Sequence, residues 1–322
     1  MEPIIKPVER DLLLQELTPE RKLQDTNRGG NEIYIFDACN APNLMREVAR
    51  LREEAFRSAG GGSGKSMDID IYDTMSNPYM QLIVWAPDSL EIIGGYRFKR
   101  GDNVSFNADG TPMLATAELF EYSKEFLEEY LPATLELGRS FVSPGYQNTK
   151  AAHKSIFALD NLWDGLATIM MLDPHLSYYF GKVTIHPGYS REAASLIMHY
   201  LSKYYKDCRR LIWPKIPIEP TSGGDIFCKG NAMEDYRTLK EAVSKQGFSV
   251  PPLINSYINL SSTMTYFGFA ECHDFAGAIE GGIMINFHDI YPQKKKRHTK
   301  AFLDGKVNGK VRTFVTDITN AT

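Results

Sequence analysis

Apolar positions along this chain switch between a period of two and a period near three and a half, and the switches mark out its elements. In "NEIYIFDA" (31–38) apolar and polar residues alternate as in a half-buried strand. After Asn40, a good N-cap, Leu44, Met45, Val48, Leu51, Ala55 and Phe56 fall at helical spacing, while Arg46, Glu47, Arg50, Glu53 and Glu54 lie largely elsewhere. That predicts an amphipathic helix over 41–57, ending in a glycine run. "MQLIVWA" (80–86) and "IIGGYRFK" (92–99), joined by a Pro/Asp/Ser turn, predict a hairpin. A helix is expected over 116–131, a strand over 134–143, a long helix over 147–172, a strand over 178–185 and a helix over 191–205. The stretch 206–247 is turn-rich and only "EDYRTLKEAVSKQ" reads as helix, so it is taken as an insertion. An apolar region at 251–262 and a late strand within 279–290 follow.

Residues 1–30 carry many charges and no clear period, which predicts an arm laid over a neighbouring surface. Residues 293–322 open with "QKKKRH" and read as a basic tail. Strands and helices mixed over 31–292 argue for one α/β body, a mixed central sheet flanked by helices.

Composition narrows the partners. A chain of 322 residues with 43% hydrophobic content supplies a large core, and a net charge of −4 argues against coating nucleic acid, which needs a surplus of Lys and Arg. Charges interrupt every apolar run of "MEPIIKPVERDLLLQEL", and no run approaches the ~20 residues that cross a bilayer. Cys39, Cys208, Cys228 and Cys272 stand far apart, without metal-ligand spacing. The expectation is a cytoplasmic protein with no bound metal, and "ECHD" (271–274) is read as a polar loop.

"RSAGGGSGKS" (57–66) has the look of a phosphate-binding loop, but such a loop needs a buried strand before it and a helix after it. Here a charged amphipathic helix precedes the glycines and the acidic stretch "MDIDIYD" follows. The segment is expected to be a flexible connector, with a role as a lid.

The chemistry lies elsewhere. "ELGRSFVSPGYQ" (136–147) resembles the central strand motif of the ornithine lipid N-acyltransferases, and "DIDIYDTMSNPYMQLIVWAPDSLEIIGGYRF" resembles their acidic segment and hairpin. The same positions are similar to the acyl-homoserine lactone synthases, in which Arg52 and Phe56, Asp70 and Asp73, and Glu136 and Arg139 have counterparts. The resemblance implies the GNAT N-acyltransferase fold and a long, in some members 3-hydroxylated, acyl chain passed from acyl carrier protein to an amine. Within this group the glycine lipid synthases, some relatives of which carry a hemolysin label, are the most similar, and they imply glycine as acceptor. No cofactor is implied beyond the phosphopantetheine thioester that serves as co-substrate. A transferase using short acyl-CoA and a non-catalytic acyl or lipid binder are the alternatives.

Acyl transfer to an amine needs a deprotonated amine, a polarised thioester carbonyl and a fixed approach. Glu136 is the candidate base, the alternative being an ion-pairing role. Backbone N–H groups near Ser140, Phe141 and Val142 are expected to meet the thioester oxygen. Arg139 suits the acceptor's carboxylate, since a guanidinium grips a carboxylate in two parallel hydrogen bonds. An offset of three along a regular strand puts Glu136 and Arg139 on opposite faces, so sharing a pocket requires a bulge, for which Gly138 is placed. Without one, Arg139 is expected to pair with Asp70 or Asp73. Arg52, Phe56, Asp70, Asp73 and Arg97 are the candidates for binding or orienting the acceptor.

Acetyl-CoA-binding members of this fold place a glycine where this chain has Lys150, in the segment Gln147–Ala152. A side chain there hinders a pyrophosphate, while Lys150 and Lys154 suit the single phosphate of a carrier-bound pantetheine. Acyl carrier proteins are acidic, so the basic run at 293–300 is a candidate docking surface or a contact for anionic lipid at the inner membrane face, the alternative being a solvated tail.

Overall fold

The computed structural model describes residues 1–147, 157–221, 223–272 and 277–308. Strands in chain order are β1 Lys22–Asp25, β2 Glu32–Phe36, β3 Met80–Ala86, β4 Glu91–Arg100, β5 Phe120–Tyr122 and β6 Thr134–Val142. They continue as β7 Tyr178–Ile185, β8 Ile212–Pro214, β9 Pro217–Ile218, β10 Thr265–Cys272 and β11 Ala278–Asn286. Helices are α1 Arg10–Glu16, α2 Pro42–Ser58, α3 Ile71–Thr74, α4 Ala158–Leu172 and α5 Arg191–Tyr205. After them come α6 Ala232–Lys245, α7 Pro252–Ile258, α8 Pro292–His298 and α9 Lys300–Leu303. The chain divides into two compact units, one of Met1–Ala115, Pro132–Ser177 and Tyr291 onward, the other of Thr116–Leu131 and Tyr178–Ile290.

The first unit is an antiparallel sheet in the order β1-β2-β3-β4-β6. Alternation sends Ile83 and Trp85 of β3 to one face, where they pack with Leu44, Met45 and Val48 of α2 and with Phe141 of β6. Leu82 points to the other face, against α4. Helix and sheet approach closely there because residue 165 is glycine: a Cβ would lie 2.7 Å from Leu82 and 3.0 Å from Ile33. Cover on both faces explains why "MQLIVWA" is buried at every position and apolar at all but Gln81.

The expected arm over 1–30 is built into this unit. Leu13 of α1 joins the core beneath α2, and β1 pairs with β2 as the edge strand. Elements of seven and four residues are too short to display a period, which hid them in the sequence. The start of the basic tail is also structured. Arg297 of α8 pairs with Asp160, His298 Nδ1 lies 2.8 Å from Asp164 Oδ1, and the Asn27 amide donates to the Arg297 carbonyl at 3.1 Å.

In the second unit β7, β11, β10 and β9 form an antiparallel sheet and β5 pairs with β8. The helix expected over 116–131 is absent. Phe120–Tyr122 is a strand, and the Ser123 hydroxyl then accepts the Phe126 N–H at 3.0 Å at the start of a wide helical turn, Phe126–Tyr130. Phe126 packs against Tyr122 at 5.4 Å and Phe180 at 5.7 Å, and that aromatic contact together with strand pairing overrides local helix propensity. The apolar region at 251–262 holds the helix α7, and β10 is a strand that periodicity did not mark.

Candidate active site

Directly opposed residues of an antiparallel sheet share a face, so the register alone assembles the site. Ile83, Gly95 and Phe141 form one row across β3, β4 and β6, and Gln81, Arg97 and Gly138 the next. Met80 opposes Phe98 and Lys99 opposes Glu136, so the row after that is Tyr79, Lys99 and Glu136. The face that is apolar under the middle of α2 therefore becomes charged toward one end.

The bulge required by the spacing is present. Tyr96 of β4 opposes both Arg139 and Ser140, one residue past the glycine expected to form it. Arg139 takes the left-handed conformation, φ +48°, which for a residue with a side chain costs about 1–2 kcal/mol. The extra residue keeps Glu136 and Phe141 on one face and turns Arg139 to the same acidic cluster as Arg52 and Arg97. Arg139 Nε lies 3.0 Å from Asp68 Oδ2, and its Nη2 donates to Asp70 Oδ2 at 3.3 Å.

Three arginines and three aspartates close this cluster. Arg52 donates from Nε to Asp68 at 2.8 Å and from both terminal nitrogens to Asp73 at 3.1 and 2.9 Å. Arg97 Nη1 donates to both oxygens of Asp70 at 2.7 Å, and the Gln81 amide adds a bond to Asp73 at 3.1 Å. Asp70 caps α3, and Asp73 returns the bond by accepting the Asp70 N–H at 3.2 Å. Burial by itself would raise the Asp68 and Asp73 carboxyls. The arginines outweigh it, Arg52 and Arg139 at Asp68 and Arg52 and Arg97 at Asp73, and hold both below the usual carboxylate range.

Arg52 is 0% exposed and each of its three nitrogens donates to Asp68 or Asp73, so it orients the aspartates and presents no edge to an acceptor. Arg97 is likewise enclosed, its guanidinium 5.1 Å from the centre of the Tyr79 ring and 5.6 Å from that of Tyr72. The outer edge belongs to Arg139 and Asp70, whose side chains are 20% and 23% exposed. Phe56 is half-buried against the core, and the Phe141 side chain lies inside it, so the expected acyl contact of Phe141 falls to its backbone. Ser140 and Val142 are half-buried, and the Gln147 amide donates to the Val142 carbonyl at 2.6 Å. Lys150 and Lys154, like His273 and Asp274 of the polar loop, lie outside the described residues.

Glu136 is 1% exposed. The Tyr79 hydroxyl donates to its Oε2 and accepts the Ala115 N–H at 2.8 Å. Burial, aided by the Glu136 charge, pushes the Tyr79 hydroxyl well above its ordinary range, so it keeps its proton. Lys99 donates from Nζ to the Asn77 carbonyl at 2.9 Å and to its Oδ1 at 2.6 Å. Burial lowers Lys99 to about 8, against the opposing pull of Glu136. Sequence reasoning missed Tyr79 and Lys99. The signal available was Lys99 alternating with Arg97 in a strand whose middle, Ile92–Tyr96, is apolar.

The glycine run is not a loose connector. Glu53, buried on α2, accepts the Ser63 N–H at 3.0 Å and hydroxyl at 2.8 Å, the Gly64 N–H at 2.8 Å and Arg57 Nε at 2.7 Å. A buried carboxylate needs several donors, and the loop backbone wraps round it to supply them.

An acetyltransferase (GNAT) domain model matches residues 51–156. A glycine N(alpha)-acyltransferase of Bacteroides thetaiotaomicron is 49% identical over 308 residues, 94% of this chain and 91% of that protein. A second protein of that name, from Phocaeicola vulgatus, is 47% identical over 307 residues, 94% of each. Among solved structures, FeeM, an N-acyl amino acid synthase from uncultured soil microbes, aligns over 80% of this chain and 90% of its own, at 10% identity and a TM-score of 0.39. BjaI, a CoA-dependent acyl-homoserine lactone synthase, aligns over 84% and 89%, at 12% identity and a TM-score of 0.35.

Proposed function

The chain belongs to the glycine N(alpha)-acyltransferase family and carries a GNAT domain, and on that premise we propose that it acylates the amine of glycine with a long fatty acyl group. The donor in this reading is the phosphopantetheine thioester of an acyl carrier protein, and the product enters aminolipid synthesis. The near-full-length likeness to two proteins of that name carries it.

Glycine's nitrogen attacks the thioester carbonyl carbon, the C–N bond forms and the C–S bond breaks. Glu136, directly or through one water, takes the proton the ammonium must lose, and the departing thiolate receives one. Arg139, with its accessible edge, takes the glycine carboxylate. Backbone N–H groups at Ser140 to Val142 polarise the carbonyl. Two features favour the carrier over free coenzyme A. In the sequence Lys150 replaces the glycine that a pyrophosphate needs, and α8, joined to Asp160 through Arg297, presents exposed Lys294 and Lys296.

Among the described residues no helix is long and apolar enough to cross a membrane. An amphiphilic product favours work in the cytoplasm at the inner membrane face. Incubating the purified protein with acyl thioesters, on carrier protein and on coenzyme A, and a panel of amino acids tests the proposal by mass spectrometry of the products. N-acylglycine formed preferentially from the carrier thioester is the expected result; no amide with any acceptor overturns it.

A further inference from the structure

We propose that Tyr79 is a positioning residue of the acyl-transfer site, holding the Glu136 carboxylate ionised and in one orientation to receive the amine's proton. The inference rests on the reading of Glu136 as base.

Tyr79 stands immediately before β3, and its side chain reaches across the row occupied by Lys99 to a carboxylate two strands away. The Ala115 N–H donates to the phenol oxygen, and the hydroxyl donates its own proton to Glu136. A hydrogen bond donated to a carboxylate favours its charged form. The ring itself is clamped, with the Arg97 guanidinium over one part and the Tyr72 ring edge-on at 5.7 Å. The charged and titratable groups around it are Lys99 and Arg97 of β4, Tyr72 of α3, and Asp70 and Asp73 beyond Arg97. Lys99 donates to Asn77 and Arg97 to the aspartates, while Oε2 accepts the Tyr79 O–H.

Tyr79→Phe removes the donor and keeps the clamped ring. With folding checked by thermal melting, kcat should fall about 10- to 100-fold while KM for glycine and for thioester stays within about threefold. The acid limb of the kcat–pH profile should move to higher pH, since the carboxylate has lost a donor; a stitch that only stabilises the fold would change the melt and leave that limb in place. If Tyr79→Phe folds poorly, a fluorinated tyrosine at position 79 preserves shape and strengthens the donor, and the acid limb should then move to lower pH. A wild-type kcat and an unmoved limb in the phenylalanine variant, or an unmoved limb in the fluorinated one, overturns the proposal. Glu136→Gln measured alongside separates the two failures. If it is inactive while Tyr79→Phe behaves as wild type, only the role of Tyr79 falls. If it is fully active, Glu136 is not the base.

Discussion

Arg52 and Asp73 meet through two hydrogen bonds, 3.1 and 2.9 Å, with side chains 1% and 0% exposed. The pair ties the middle of α2 to α3, and Asp68 and Arg97 extend it to the sheet. Breaking a buried pair from one side leaves an uncompensated charge. Arg52→Met should therefore cost about 3–5 kcal/mol in urea unfolding, and Arg52→Lys, which lacks the planar fork, should be intermediate. A loss below about 1 kcal/mol would show that the aspartates find other partners.

The same carboxylates set the acid response. Asp68 and Asp73 are held below their unfolded values, near 3.9, so their stabilisation is present above that pH and is lost as pH falls through the lower folded values. Asp73→Asn should flatten the dependence of the melting temperature on pH below about 4. Parallel curves for variant and wild type would contradict it.

Lys99 acts at the opposite end of the scale. Its folded value of about 8 lies below the ordinary 10.5, so the cost of burying the ammonium is fully present below pH 8. As pH rises from 8 toward 10.5 the unfolded chain holds more protons than the folded one, and folding gains stability. Wild type should gain on Lys99→Met between these limits in thermal melts, and a constant gap between the two would refute the depressed value.

Arg139 is the arginine of the cluster with an accessible edge. Arg139→Ala should raise KM for glycine about tenfold or more, and amines without a carboxylate should lose little. Equal losses for both kinds of acceptor would indicate that Arg139 only braces Asp68 and Asp70.

Lys294, Lys295 and Lys296 stand on a helix pinned through Arg297 and His298. Replacing the three by alanine should raise KM for carrier-bound thioester about tenfold at low salt, with kcat unchanged and the difference shrinking as salt rises. An unchanged KM removes carrier docking at this surface.

Most of the scaffold was legible because its elements are long enough to show a period. The hairpin of β3 and β4, the helix α2, the strands β6 and β7 and the helix α5 appear where the spacing puts them. The residues singled out at Arg52, Asp70, Asp73, Arg97 and Arg139 also converge in one cluster. Residues 116–131 misled because their composition is that of a helix, and strand pairing with an aromatic core decides otherwise.

Periodicity and composition, being local properties, sufficed for the α/β class, for the glycine run as something other than a phosphate loop, and for the need of a bulge between Glu136 and Arg139. Partnership depends on strand register and on residues far apart in the chain. Only the tertiary structure could place the bulge on Arg139, close Arg52 away from any ligand, wrap the glycine loop round Glu53 and bring Tyr79 to Glu136, 57 positions apart. Those contacts form because a buried charge must find its donors wherever the fold brings them, and no spacing along the chain records where that will be.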